Sequence, residues 1–193
     1  VTGGSKGIGK AIAVAFADAG ADVAIASRKL PDLEKVAGDI EALGRTALVV
    51  PTHTKKVPEL ENLVTRVMEK FGRIDVLVNN AGGTPPTPVL QLTDEAFEAA
   101  FHFNVTSALN LSRQVIPHML KRKDGAILNI SSALSYMVES GFTAYGTAKA
   151  ALSHMTRMMA HELAPHVRVN ALAVGATLTD ALSPFVASGD LKE

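Results

Sequence analysis

Short uninterrupted apolar runs alternate along this chain with longer stretches whose apolar residues recur every three or four positions. The first kind reads as strand buried on both faces, the second as helix with one face turned to a core. Residues 10–19 have helical spacing and Gly20 supplies the stop, after which residues 21–27 form an apolar run. Helical spacing returns over 31–42 through Leu33, Val36, Ala37 and Ile40, closed by Gly44. Strand is predicted over 46–50, helix over 58–71 and strand over 74–78. Thr93 followed by Asp94 and Glu95 marks a helix start, and that helix is expected to run to Lys121. Residues 126–130 read as strand, 143–163 as helix and 167–174 as strand. Strict alternation of strand and helix predicts an α/β fold: a Rossmann-type, doubly wound parallel sheet with helices on both faces, forming one domain over residues 1–193. In such a sheet ligands bind beyond the carboxyl ends of the strands. The pattern starts at the tail of a first strand, Val1 and Thr2, and holds no apolar strand after Thr179, so the expected sheet is truncated at both ends.

Composition narrows the function classes. With 193 residues, 47% of them hydrophobic, the chain can bury one sizeable core. Its formal charge is zero and no block of like charge stands out, which argues against nucleic acid or an anionic membrane as partner. Its apolar runs are too short to cross a bilayer. The absence of cysteine excludes disulfides, thiolate catalysis and thiol-ligated metals. Six histidines are scattered without a carboxylate at ligand spacing, so no metal site is expected.

Candidate chemistry gathers at strand ends. Thr2-Gly3-Gly4-Ser5-Lys6-Gly7-Ile8-Gly9 is a glycine-rich turn running into a helix, where free N–H groups and the positive helix end suit a phosphate. Tyr145 and Lys149 stand four apart on a predicted helix and share a face. A nearby ammonium favours the phenolate and brings a phenol towards useful acid–base range. Ser132 follows the strand over 126–130, thirteen residues before Tyr145, and Asn104 interrupts a helix that would prefer a better helix former.

With Asn79-Asn80-Ala81-Gly82 added to these, the chain resembles the short-chain dehydrogenase/reductase family from Val1 to about Thr179. The family patterns T-G-x-x-x-G-x-G, N-N-A-G, the serine thirteen before the tyrosine and Y-x-x-x-K are all matched at the family's intervals. The resemblance implies an enzyme that interconverts a secondary alcohol and a ketone with a nicotinamide cofactor. In it Tyr145 is the general acid or base, Lys149 tunes the tyrosine and bonds the nicotinamide ribose, and Ser132 orients the substrate oxygen. Asn104 bends its helix and holds a water for proton relay. Cofactor contacts are implied for Gly3, Ser5, Lys6, Gly7, Ile8, Gly9, Arg28, His53, Thr54, Asn80, Ala81, Gly82, Gly175 and Thr179, besides Tyr145 and Lys149. His53-Thr54 stands where the family has Asp-Val against adenine, and Val174-Gly175 where it has Pro-Gly.

An acidic residue at the end of the second family strand would select NAD(H). This chain has Ser27-Arg28-Lys29 there, with Lys6 in the glycine turn, which favours NADP(H) over NAD(H). Residues 84–88, 135–142 and 181–185 are expected to line the substrate pocket and are largely apolar, favouring a neutral hydrophobic alcohol or ketone. The string over 175–182 resembles the same region of bacterial hydroxysteroid dehydrogenases. Reduction of a 3-ketoacyl group on acyl carrier protein is the rival enzymatic reading, and a cofactor-binding protein without turnover the rival of another class. The family also implies a homotetramer or homodimer, built on the Tyr145 and Asn104 helices, in a cytoplasmic setting. The stripe Leu152, Met155, Met159 and Leu163 is read as core or subunit interface.

Overall fold

The computed structural model describes residues 1–179. Six α-helices and five strands alternate among them as the apolar pattern predicts: α1 (Gly7–Asp18), β1 (Val23–Ser27), α2 (Leu30–Ala42), β2 (Ala47–Pro51), α3 (Val57–Phe71) and β3 (Val76–Asn79) form the first half. The second half holds α4 (Asp94–Phe101), α5 (Ser107–Arg122), β4 (Gly125–Ser132), α6 (Thr143–Leu163) and β5 (Val167–Val174). Every strand pairing is parallel, β1 with β2 and β3 with β4 and then β5. Val1 and Thr2 join the two sets: Thr2 bridges Ala26 in parallel, the Ala26 N–H donates to Val1 C=O (3.0 Å), and the Thr2 N–H donates to Val78 C=O (3.0 Å). The spatial order is therefore β2, β1, the Val1–Thr2 segment, β3, β4, β5, with the reversal of winding between that segment and β3. Ligands bind at this reversal in doubly wound sheets.

Alternate residues of one strand enter different cores, the signature of helices on both faces. Val23 and Ile25 of β1 pack with Ala13, Ala17, Leu33, Val36 and Ile40 of α1 and α2. Ala24 and Ala26 pack instead with the larger core of α3, α5 and α6, around Leu60, Leu111, Met119 and Met159. Ile25, Leu33 and Ile40 are fully buried, each stabilising the fold by about 1.5–3 kcal/mol. Leu152 and Met159 are buried, and Met155 and Leu163 pack against the same core, so the stripe on α6 is interior; Met158 is the exposed methionine of that helix.

Beneath the ligand-binding end runs a buried polar chain. Asn79 and Asn129 face each other in the β3–β4 register. Asn79 Nδ2 donates to Asn129 Oδ1 (2.9 Å) and to Ser112 Oγ of α5 (3.1 Å), and Asn129 Nδ2 donates to Thr156 Oγ1 of α6 (2.9 Å). With the amides satisfied internally, the chain ties two strands and two helices together at the cost of no orphaned group.

The single helix expected over 94–121 is broken. Between α4 and α5 a π turn, His102–Thr106, carries Asn104. A π turn inserts an extra residue into the ladder without ending the helical spacing of apolar positions, so the interruption shows in the sequence at Asn104 itself and not in the apolar pattern.

Candidate active site

The glycine turn is built by close approach. A Cβ on Gly9 would lie 2.2 Å from Gly3 O and 2.5 Å from Asn80 Nδ2; one on Gly3, which has φ +63°, would lie 2.7 Å from Asn80 Nδ2. The first intrahelical bond of α1 runs from Lys10 N–H to Lys6 C=O (3.2 Å), which leaves the N–H groups of Gly7, Ile8 and Gly9 as the unpaired first turn of the helix. Gly9→Ala should therefore collapse cofactor affinity by at least about tenfold, since the turn must open to admit the methyl. Isothermal titration with the dinucleotide checks this; unchanged affinity would mean the turn is not the cradle.

Thr2, which the family pattern names but the site reading leaves out, organises the neighbouring turn. Its hydroxyl accepts from Asn80 N–H (3.0 Å) and Ala81 N–H (3.1 Å) and donates to Val78 C=O (3.3 Å), while Asn80 Nδ2 donates to Thr2 C=O (2.9 Å). The glycine turn and the Asn-Asn-Ala-Gly turn are thus one rigid unit.

A cleft of about 660 Å³ opens over these turns. Gly3, Ser5, Lys6, Gly7, Ile8, Gly9, Arg28, His53, Thr54, Asn80, Ala81, Gly82, Ser132, Tyr145, Lys149, Gly175 and Thr179 all line it, which is every residue the sequence singled out except Asn104. The cleft lining is strongly cationic: Lys6, Arg28, Lys29, Lys55 and Lys149 stand against one carboxylate, Asp32 of the first turn of α2. Asp32, Lys55 and Phe103 are lining residues that sequence reasoning did not single out. Lys55 Nζ sits 5.4 Å from the Phe103 ring centroid, a contact across 48 positions that no local pattern announces.

Ser27, at the end of β1, supplies an independent sign of a ligand. Its hydroxyl is buried in the cleft wall and has no hydrogen-bond partner within the protein, a state that carries a desolvation cost of about 1–3 kcal/mol unless something fills it. An orphaned hydroxyl beside Arg28, above a glycine cradle with free N–H groups, fits the ribose and phosphates of a nicotinamide dinucleotide.

At the other end of the cleft, Tyr145 and Lys149 rise from the first turns of α6 to face Ser132. The Tyr145 phenol is pushed above its ordinary value by burial, partly offset by a hydrogen bond with the Ser132 hydroxyl. Ser132 Oγ also accepts the Leu134 N–H (3.2 Å), the cap of the short turn that follows β4. Burial lowers Lys149 from 10.5 to about 8. Its Nζ donates to Ile130 C=O (2.7 Å) and stands 5.6 Å from the Tyr145 ring centroid. The expected net lowering of the phenol by Lys149 is not what this geometry gives, because the ammonium is turned onto the Ile130 carbonyl and desolvation of the phenolate dominates. At about 8 Lys149 is still mostly charged at pH 7, and because its folded value is depressed its burial opposes folding less as pH rises from about 8 towards 10.5.

Asn104 is 1% exposed and lies behind the cleft wall. Its Oδ1 accepts Gly83 N–H (2.9 Å), while Nδ2 donates to Ala100 C=O (2.8 Å) and Thr84 Oγ1 (3.2 Å). A Cβ on Gly82 would meet Asn104 Oδ1 at 2.8 Å and Lys149 Nζ at 3.1 Å, so glycine here lets both groups close on one backbone point.

The doubly wound sheet thus carries one cleft lined by the glycine turn and by Ser132, Tyr145 and Lys149, and the family follows from the match to known proteins. The short chain dehydrogenase family model matches residues 1–188, and the chain belongs to that family of oxidoreductases. An uncharacterised oxidoreductase of Mycobacterium tuberculosis is 45% identical over 193 residues, covering 100% of this chain and 73% of that one. The 7α-hydroxysteroid dehydrogenase of Escherichia coli K12 is 39% identical over 188 residues, covering 96% of this chain and 73% of that one. A solved 7α-hydroxysteroid dehydrogenase, complexed with NADH and 7-oxo glycochenodeoxycholic acid, superposes with a TM-score of 0.92 at 39% identity, over 95% of this chain and 72% of that one. Among the described residues no helix is long and apolar enough to cross a membrane.

Proposed function

We propose that this protein is an NADP(H)-dependent oxidoreductase that interconverts a secondary alcohol and a ketone on a neutral, hydrophobic substrate. The observation that carries the reading is the placement of Ser132, Tyr145 and Lys149 in the same cleft as the glycine cradle and the orphaned Ser27 hydroxyl. The Gly3–Gly9 turn with Asn80, Ala81 and Gly82 would hold the pyrophosphate, Ser27, Arg28 and Lys6 the adenosine ribose and its phosphate, and His53 with Thr54 the adenine. Gly175 and Thr179 would hold the nicotinamide end. When bound, the cofactor supplies or accepts the hydride.

The protein's own groups manage the proton and the geometry. In the reducing direction Tyr145 Oη gives its proton to the carbonyl oxygen, and in oxidation it takes the hydroxyl proton back. Ser132 Oγ, held by the Leu134 N–H, fixes the substrate oxygen against the phenol. A phenol raised by burial is protonated at neutral pH, the form that reduction needs. Lys149 keeps a positive charge beside it, and Asn104, fixed by the Gly83 N–H, would hold a water for proton relay to the lysine.

Loops over 84–88 and 135–142 flank the Tyr145 end and are joined by a Thr87 N–H to Gly141 C=O bond (2.7 Å). Tyr136, Met137 and Val138 are exposed there, an apolar rim suited to a hydrophobic ketone and carrying no cation to clamp a carboxylate. The third expected pocket segment, 181–185, lies outside the described residues. A steroid is one substrate of this chemistry, in keeping with the relatives named above. Exposed Phe101, Leu120 and Met158 on α4, α5 and α6 offer apolar contacts for a homodimer or homotetramer, and a cytoplasmic setting supplies the reduced cofactor.

Absorbance of the reduced nicotinamide, followed with each cofactor across a panel of hydrophobic ketones and alcohols, tests the reading. Turnover of a neutral cyclic ketone with NADPH is the expected result. Dinucleotide binding without turnover on any member of the panel would overturn it in favour of a cofactor-binding protein.

A further inference from the structure

Four consecutive residues of β4 engage α6. Asn129 Nδ2 donates to Thr156 Oγ1 (2.9 Å), and Ile130 C=O accepts from Lys149 Nζ (2.7 Å). Ser131 Oγ donates to the backbone C=O of Lys149 (3.1 Å) and pairs with Ser153 Oγ (2.6 Å), and Ser132 meets Tyr145. The reacting pair accounts for Ser132, and the lysine for Ile130. Ser131 is 2% exposed and Ser153 half-buried, and neither hydroxyl has a part in the chemistry proposed above.

Hydrogen counting fixes the direction of this contact. A hydroxyl has one hydrogen, so with Ser131 donating to Lys149 C=O, Ser153 must donate to Ser131 Oγ. Lys149 C=O is also the acceptor that the Ser153 N–H takes within the helix, four residues on. Ser131, Ser153 and Lys149 C=O therefore close a ring that joins strand to helix at the turn bearing the lysine.

Such a ring matters because next to the active site the packed face of α6 is made of small side chains, and the Asn129–Thr156 bond that also holds the helix lies two turns beyond Lys149. That face presents Ala144 and Ala148 next to the active site, with Leu152 a turn further on. Methyl groups bury area without direction, and a displacement of α6 by one residue, about 1.5 Å along the axis with about 100° of rotation, would carry Tyr145 away from Ser132. Misplacement of about 1 Å can cost about a hundredfold in rate.

We propose that the Ser131–Ser153 hydroxyl pair is a positioning device that fixes the axial setting of α6 on β4 and so places Tyr145 and Lys149 opposite Ser132. The proposal rests on the oxidoreductase reading for its kinetic consequence, and on geometry alone for its structural one.

Two readouts test it. Ser153 is half-buried, so Ser153→Ala and Ser153→Thr should both fold, and only the second keeps the hydroxyl. Ser153→Ala is expected to lower kcat about tenfold with KM for the cofactor within twofold, Ser153→Thr to restore kcat to within twofold of the parent, and Ser131→Ala combined with Ser153→Ala to cost no more than the larger single change. The second readout needs no turnover. The chain has two tyrosines and no tryptophan, so with Tyr136→Phe in place the phenolate absorbance reports Tyr145 alone. The charged group that meets this phenol is Lys149 of α6, and Ser132 is its neutral partner from β4. Ser153→Ala should raise the phenol's titration midpoint by about one unit as Tyr145 loses the Ser132 hydroxyl that lowers it, and Ser153→Thr should leave it in place. An unmoved midpoint in Ser153→Ala, or a Ser153→Thr that behaves like Ser153→Ala, overturns the positioning role. A parent without turnover would count against the oxidoreductase reading, while the phenol titration would still decide this one.

Discussion

Tyr145→Phe should bind cofactor as the parent does and lose at least about two orders of magnitude in kcat, the lower range for removal of a positioned proton donor. The substitution isolates chemistry because it preserves packing. The Tyr145 ring makes an edge contact with Phe142, centroids 6.2 Å apart at 64°, and lies under Lys149 Nζ; a phenylalanine ring can keep both. What goes is the hydroxyl bonded to Ser132, which burial holds in its protonated form. The other proton donor at that end of the cleft, the Lys149 ammonium, lowered to about 8, is engaged with Ile130 C=O. Cofactor affinity by titration and single-turnover reduction of one ketone make the measurement. A variant within threefold of the parent would remove Tyr145 from the proton-transfer role and leave the family motif as scaffold here.

Much of this site is legible in the sequence, for a physical reason. Glycine and turn chemistry are local, so Gly3, Gly7 and Gly9 announce a cradle in eight residues, and the four-residue spacing of Tyr145 and Lys149 announces a shared helix face. The alternation of apolar runs and helical spacing carried the order of elements from α1 to β5 to within a few residues. The strand read over 126–130 extends to Ser132 because Ser131 and Ser132 pair with Ala173 and Val174 of β5, a non-local gain that two serines do not advertise. Contacts across the sequence were the part hidden from view. The π turn at Asn104 keeps the apolar spacing of a plain helix, and its reason for existing, the bonds from the asparagine amide to Ala100 and Gly83, lies partly 21 residues away. Lys55 against Phe103 and Ser131 against Ser153 are equally remote in sequence. The electrostatic effect of Lys149 on Tyr145 was misjudged for a related reason: spacing reports proximity along a helix and says nothing of the Ile130 carbonyl that captures the ammonium.

Lys6→Ala together with Arg28→Ala should sharply weaken use of NADP(H) and leave use of NAD(H) nearly unchanged. Both cations line the cleft, Lys6 as the cap residue of α1 and Arg28 just past β1. Between them lies the end of β1, where Ser27 presents its orphaned hydroxyl. A 2′-phosphate at that point would take a bond from Ser27 and charge-assisted bonds from Arg28 and Lys6, and only the phosphorylated cofactor makes them. Hydrogen bonds to charged groups contribute about 1.5–3 kcal/mol each, so loss of the Arg28 contact alone corresponds to roughly tenfold to a hundredfold in kcat/KM for NADPH. Lys6 adds less because it remains exposed to solvent. The opposing term is Asp32, which the first turn of α2 directs to the same cleft and which would repel a phosphate. Lys6, Arg28 and Lys29 against this one carboxylate favour the phosphate. Ser27→Asp is the complementary change: it puts a carboxylate where a ribose diol would accept it and a phosphate would not, and should invert the preference. The measurement is kcat/KM for both cofactors with one ketone, in parent, double alanine variant and Ser27→Asp. Equal losses for the two cofactors in the double variant, or a parent that already prefers NADH, would mean that Lys6 and Arg28 are surface charges and that Asp32 sets the choice.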